Sequence, residues 1–269
     1  MIDLAAYLRR IGYEGGATAD AHTLGAVANH HARAIAFENL DPFRGVVPAL
    51  DDAALEAKLV HGRRGGWCFE QNRLLRLGLE AMGFRVTGLA ARVVWMRPPE
   101  APPNSRTHQL LLVDLDGRHL VDVGFGGCTL TGALRFEPGV VQETPHEPFR
   151  VIELDDGRYA LEILLGDTWV VEYQFDLQPQ LDVDYEMGNW YLSTNPASPF
   201  LQAPVGALPT EDGRYSFRAG TLMTYRRGAP PEQRDLTTAA ELVAVYEDLL
   251  GITVPEGVPW ERALPTTSS

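Results

Sequence analysis

Apolar residues in this chain repeat with a helical period up to Gly83 and follow strand patterns beyond it, and that switch limits its fold more than any other feature. Leu4, Leu8 and Ile11 recur at helical spacing before Gly12 and the pair Gly15-Gly16 break the pattern. A second helix is predicted over residues 21–31, capped by Asp20 or Thr18, with Leu24, Val27 and His31 on one face. Residues 37–42 read as a loop. Asp51-Asp52 opens another helix through Leu55, Leu59 and Val60, and a further helix follows Cys68 up to Gly83. Strands are then predicted over residues 84–94, 110–113, 120–123, 149–154, 159–164 and 168–175, with a proline-rich loop at 98–104 and a hairpin signal at Asp116-Gly117. The strand-patterned stretch is long enough for an antiparallel sheet or barrel. A turn-rich stretch at 195–209, strands at 215–217 and 221–225, and a helix over 238–250 stopped by Gly251 complete the pattern; residues 265–269 read as a disordered tail. Helices and strands are thus segregated along the chain, which indicates an α+β protein.

The formal net charge of −13 argues against general nucleic-acid binding, which requires a basic stripe. No apolar run approaches the ~18–20 residues of a membrane helix, and Met1-Ile2-Asp3-Leu4 does not begin like a signal peptide. Cys68 and Cys128 are the only cysteines, too few for a disulfide scaffold, and their spacing does not suggest zinc. A reduced, cytoplasmic setting fits best.

Cys68 follows Gly65, Gly66 and Trp67 and opens a predicted helix. The free amides and partial positive charge of a helix start favour a thiolate, the nucleophilic form of cysteine. A lone cysteine is more often a small buried hydrophobe, so position alone does not make Cys68 reactive. Among the seven histidines, His108 opens a strand, a rigid mount for a base, and Asp122 lies between Val121 and Val123, where burial demands a partner such as an imidazole N–H. Cysteine, histidine and aspartate together suit acyl transfer. Strand register opposes the grouping. A two-residue turn at Asp116-Gly117 puts Asp122 on the opposite face from His108, and a three-residue turn leaves the two about 13 Å apart along the strands unless the chain bends.

Four segments now acquire a family context. Ala36-Phe37-Glu38-Asn39-Leu40, Arg63-Arg64-Gly65-Gly66-Trp67-Cys68-Phe69-Glu70-Gln71-Asn72, Thr107-His108-Gln109-Leu110-Leu111-Leu112-Val113 and Val121-Asp122-Val123-Gly124-Phe125-Gly126-Gly127 resemble, in order, the signature segments of the arylamine N-acetyltransferases. A weaker likeness continues through Met187-Gly188-Asn189-Trp190 and from Ser193 to Phe200. The resemblance implies a helical domain over 1–85, an antiparallel β-barrel domain over 86–185 and a linker with an α/β lid over 186–269, around a core like that of papain-type cysteine enzymes. It implies Cys68, His108 and Asp122 as the catalytic triad and acetyl transfer from acetyl-CoA, through acetyl-Cys68, to an arylamine, arylhydrazine or N-hydroxyarylamine. Acetyl-CoA is then a donor substrate, with no tightly bound cofactor and no metal.

By the same resemblance, Thr107, Gly124, Phe125, Gly126 and Gly127 lie beside the donor, and Phe37, Trp67, Phe125 and Phe200 beside the acceptor. Arg64 and Glu38 match positions that look structural. Cys128 reads as a packed thiol. No residue is identified as holding the CoA phosphates: Arg97 and Arg226-Arg227 are candidates only as exposed positive charge, and solvated surface arginines are the better reading. The overall negative charge is a poor match for coenzyme A unless local groups offset it. Two other activities suit the same triad: an amide synthase closing a macrolactam from a carrier-bound chain, and a cysteine hydrolase. The expected partners are small molecules, without nucleic acid or membrane, and a homo-oligomer is left open.

Overall fold

A computed structural model describes residues 2–98 and 100–264, so the expected tail at 265–269 lies outside the described residues. The first helix, Leu4–Ile11, starts where the Asp3 carboxylate accepts the Ala6 N–H at 2.9 Å and ends at Gly12, whose φ of +66° suits a residue without Cβ. The second, Ala21–Ala34, is capped by Asp20 through the Thr23 N–H at 2.8 Å and runs one turn beyond expectation. Asp52–Leu55 continues into a π-helical turn, Glu56–His61, and Cys68–Ala81 is the last long helix of this part. Tyr7, Ile11, Leu24, Val27, Leu55, Leu59, Leu74, Leu75 and Leu79 form their common core. His31 shares that core: its Nδ1 meets the Tyr7 hydroxyl at 2.8 Å and its Nε2 meets Gln71 Oε1 at 2.8 Å.

The second part is a seven-stranded antiparallel sheet ordered Leu134–Arg135, Gly117–Val121, His108–Leu115, Arg85–Val93, Thr168–Phe175, Tyr159–Leu165, Phe149–Glu153. Gln142 closes it nearly into a barrel. Its backbone exchanges hydrogen bonds with Phe149 at 2.8 and 2.9 Å, while its side-chain amide bonds the Arg135 N–H and C=O at 2.8 Å each. Leu110 and Leu112 point into the barrel with Leu161, Tyr173 and Phe175, whereas Leu111 and Val113 point out onto the helical core. Both faces of the His108–Leu115 strand are therefore buried, which explains its unbroken apolar run.

The third part begins with helix Asp182–Thr194, which the sequence pattern does not reveal. Its inner face is Tyr185, Asn189, Leu192 and Ser193, and its outer face carries the exposed Val183, Met187, Trp190 and Tyr191. Apolar residues on both faces erase the helical period. A five-stranded antiparallel sheet follows, ordered Phe37–Glu38, Val205–Pro209, Gly213–Arg218, Thr221–Arg226, Glu232–Asp235. Residues 37–38, expected as loop, are its edge strand, with Phe37 opposite Ala207 and Glu38 opposite Gly206. Two residues are too few to show a period. Helix Ala239–Ala244 and the π-helical turn Val245–Leu249 cover this sheet with Leu242, Val245 and Tyr246 against Phe217, Leu222, Ala36, Leu40 and Phe43. Among the described residues no helix is long and apolar enough to cross a membrane.

Burial drives His31 down to about 4, against its hydrogen bond to Gln71, so it folds uncharged. Between that value and the unfolded value of ~6.5 the unfolded chain binds the extra proton, so this group makes stability fall as pH drops from about 6.5 to about 4. Urea unfolding across that window should show a shallower pH slope in His31→Gln, which has no proton to take up; an unchanged slope would place the dependence elsewhere.

Candidate active site

The loop before Cys68 is held by charge. Arg64 donates to Glu38 Oε1 at 2.7 and 3.0 Å and to Asp41 Oδ1 at 3.2 Å. Lys58 meets Asp41 Oδ2 at 2.6 Å and Glu70 Oε1 at 2.7 Å, and Glu70 Oε2 accepts the Trp67 N–H at 3.2 Å. This buried network joins Arg64 and Glu38, the two positions that look structural by resemblance, and adds Asp41, Lys58 and Glu70 to them. Burial opposes ionisation of Asp41, but Lys58 and Arg64 outweigh it and hold Asp41 down at about 2. Gly65 must lack a side chain, because a Cβ there would lie 2.2 Å from the Ala36 carbonyl oxygen.

Cys68 is therefore delivered as the first residue of its helix, 7% exposed at the wall of a cleft of about 830 Å³. Its Sγ lies 3.7 Å from the Thr107 carbonyl oxygen, at a helix start whose first amides have no partner within the helix. His108, the next residue after Thr107, begins its strand opposite Ala91. His108 Nε2 meets Asp122 Oδ2 at 2.5 Å, which leaves Nδ1 as the ring nitrogen not engaged by Asp122, and Cys68 interacts with the imidazole.

The register objection is overturned. The hairpin pairs Leu115 with Gly117 around Asp116 alone, shifting the strands the opposite way from a three-residue turn. Continuing that register places His108 and Asp122 on one face, two positions apart, and the Gly117–Val121 strand ends just before Asp122 so the chain can bend. Asp122 Oδ1 accepts from Asn72 Nδ2 and from the Gly124 N–H, each at 2.9 Å. Asn72 also donates to the Gln109 carbonyl at 2.7 Å and accepts from Val123 N at 3.1 Å. Sequence reasoning gave Asn72 no role. The available signal was its spacing: four residues after Cys68, it lies on the same helical face.

Burial alone would discharge this pair. It pulls the imidazolium down, yet the Asp122 carboxylate, with hydrogen bonds to Asp122 and Cys68, outweighs it and pushes His108 up to about 10. Burial likewise opposes the Asp122 charge, and His108, Asn72 and the Gly124 amide hold the carboxyl below its ordinary value. Tyr173 and Phe125 enclose the imidazole at ring-centroid distances of 4.9 and 5.5 Å.

Phe37, Thr107, Gly124, Phe125, Gly126, Gly127 and Phe200 all line the cleft, as does Cys128. A Cβ on Gly124 would sit 2.6 Å from the Cys68 Cα, so the chain passes the sulfur only as glycine. Trp67 does not reach the cleft: 1% exposed, it lies behind Phe200 at 5.4 Å and donates its indole N–H to Asn189 Oδ1 at 3.2 Å. It is a support for the aromatic wall rather than part of it. Of the arginines read as candidates, Arg97 lines the cleft, whereas Arg226 pairs with Glu232 and Arg227 bonds the Pro145 carbonyl. Arg214 and Arg218, absent from the sequence reading, line it as well.

The α+β fold falls in the class of N-acetyltransferases: a family profile described as N-acetyltransferase matches residues 20–258. The sequence is 44% identical over 255 residues to the arylamine N-acetyltransferase of Mycolicibacterium smegmatis, covering 93% of this chain and 92% of that one. It is 36% identical over 226 residues to the arylamine N-acetyltransferase / N-hydroxyarylamine O-acetyltransferase of Salmonella typhimurium, covering 83% and 79%. The Mycobacterium marinum arylamine N-acetyltransferase solved in complex with CoA superimposes with a TM-score of 0.92 at 40% identity, covering 97% of each chain. The chain belongs to the arylamine N-acetyltransferase family.

Burial pushes the Cys128 thiol up to about 12, so it should stay protonated through the neutral range. Iodoacetamide at neutral pH should therefore alkylate Cys68 alone, as read by peptide mass spectrometry. Equal labelling of both thiols, or labelling of Cys68 only at alkaline pH, would contradict the geometry.

Proposed function

We propose that the protein transfers acetyl from acetyl-CoA to arylamines, arylhydrazines or N-hydroxyarylamines by double displacement through acetyl-Cys68. The observation that carries this reading is that Cys68 and His108 share the wall of one cleft while His108 is hydrogen-bonded from behind to the buried Asp122.

His108 holds its proton well past neutrality, and an imidazolium beside sulfur favours the thiolate. Cys68 attacks the donor's acetyl carbon, forming the new C–S bond, while the helix-start amides stabilise the oxyanion. As the old C–S bond breaks, His108 gives its proton to the departing CoA sulfur and becomes neutral. In the second half, His108 takes a proton from the acceptor nitrogen or hydroxyl as that atom attacks the acetyl carbon. The C–S bond to Cys68 breaks, and the thiolate–imidazolium pair is restored. Asp122 holds the imidazole orientation throughout.

The cleft fits the donor's charge. Arg97 and Arg218 line it, and no carboxylate pairs with either among the described residues. These are the groups that would meet the CoA phosphates, offsetting the net charge of −13. Phe37, Phe125 and Phe200 supply flat apolar walls for an aryl ring. A cleft of about 830 Å³ has the size of an ordinary small-molecule site, which favours such acceptors over a long carrier-bound chain.

Acetyl-CoA alone should leave one acetyl group on Cys68, stable until an arylamine is added; unmodified protein would overturn the reading, and rapid loss to water would favour a hydrolase. Cys68→Ala should form no acetyl-enzyme. Asp122→Asn should slow transfer on the order of 10³–10⁴-fold through loss of imidazole orientation, as measured by CoA release.

A further inference from the structure

The chain carries 36 acidic and 23 basic side chains, yet the cleft lining contains Arg97, Arg214 and Arg218 and no aspartate or glutamate among the described residues. Two of the three arginines suit the donor's phosphates. Arg214 differs from them in place and in setting.

Strand Gly213–Arg218 presents Arg214, Ser216 and Arg218 on one face, about 7 Å apart in turn. Ser216 marks where this face meets the site, because a Cβ on Gly127 would lie 3.3 Å from its Oγ. Arg218 is exposed at the outer end, whereas Arg214 is only 8% exposed at the inner end. Its guanidinium is held in place: Nη1 donates to Glu147, and the group lies 4.7 Å over the Tyr225 ring. No other acceptor meets it among the described residues, so most of its N–H donors remain available in a fixed fork. A further acid behind the lining, Glu172, is fully buried with both carboxylate oxygens unpartnered among the described residues. Burial and the nearby Asp122 push it well above its ordinary value.

We infer that Arg214 reads a carboxylate carried by a reactant away from its reacting atom. This rests on the acyl-transfer reading above. The carboxylate has two sources, the acceptor (an aminobenzoate) or the acyl group itself (a malonyl thioester). Either would meet a planar, pre-positioned cation in place of water, the arrangement in which arginine binds carboxylate best.

The test compares charged and neutral partners of like shape. In the acceptor arm, kcat/KM of acetylated enzyme is measured with 4-aminobenzoate and with 4-aminobenzamide, which keeps the electron-withdrawing carbonyl. In the acyl arm, malonyl-CoA and propionyl-CoA are compared for loading of Cys68. The charged-to-neutral ratio should fall by about tenfold or more in Arg214→Met in one arm, and that arm names the source. A ratio that stays within about twofold in both arms overturns the inference. A readout free of turnover uses the unaltered protein: benzoate should protect Cys68 from iodoacetamide at concentrations about tenfold below those benzamide needs, if the carboxylate is the acceptor's, and malonate should do so relative to malonamide, if it is the acyl group's. Equal protection within both pairs overturns the inference even if Arg214→Met does not fold. Failure of any donor to load Cys68 would instead remove the acyl-transfer reading, and the protection experiment would still decide whether Arg214 binds carboxylate.

Discussion

A carboxylate with no exposure to water must be matched by charge and by hydrogen-bond donors, and Asp122 is such a group. It is matched on every side: by His108 on one oxygen, and by Asn72 and the Gly124 amide on the other. Each partner comes from a different part of the structure. Asn72 belongs to the helix that begins at Cys68, His108 to a barrel strand, and Gly124 to the turn that lines the cleft. Satisfying one buried charge thus ties helix, strand and turn together, and the sulfur and the imidazole are brought together by the same ties. Loss of any one partner would leave the charge buried and incompletely paired, which is far more costly than removing an exposed contact.

A second buried network does for the loop what Asp122 does for the site. Glu38 pairs with Arg64 from the segment before Cys68, and its backbone pairs with Gly206 in the five-stranded sheet. Glu70, two residues after the sulfur, pairs with Lys58 and reaches back to the Trp67 amide. The position of Cys68 is therefore referred both to the helical core and to the sheet that bounds the cleft from the other side. Phe37, beside Glu38, carries the aromatic wall on the same strand.

Much of this was legible in the residues. The switch of period at Gly83 separates helices from barrel because burial on one face leaves a regular signature. Asp20 and Gly12 mark helix ends through local chemistry that needs no tertiary context. His108 and Asp122 were legible as types, and their meeting was not, because one residue of difference at Asp116 decides the face. Helix Asp182–Thr194 hid because its outer face is as apolar as its inner one. Arg214 and Arg218 hid for a different reason: on an alternating strand they look like ordinary surface arginines, and only the folded lid turns that face toward Gly127.

The closure at Gln142 gives the barrel an uneven hoop. Six of its seams are ladders in which main chain grips main chain, whereas the seventh is fastened by one residue that uses its backbone on one side and its amide side chain on the other. A side chain can rotate away from its partners, and a ladder can only peel. The cylinder therefore has a designated clasp, set at the Arg135–Phe149 edge, and opening there would relax the wall without disturbing the strand that carries the imidazole.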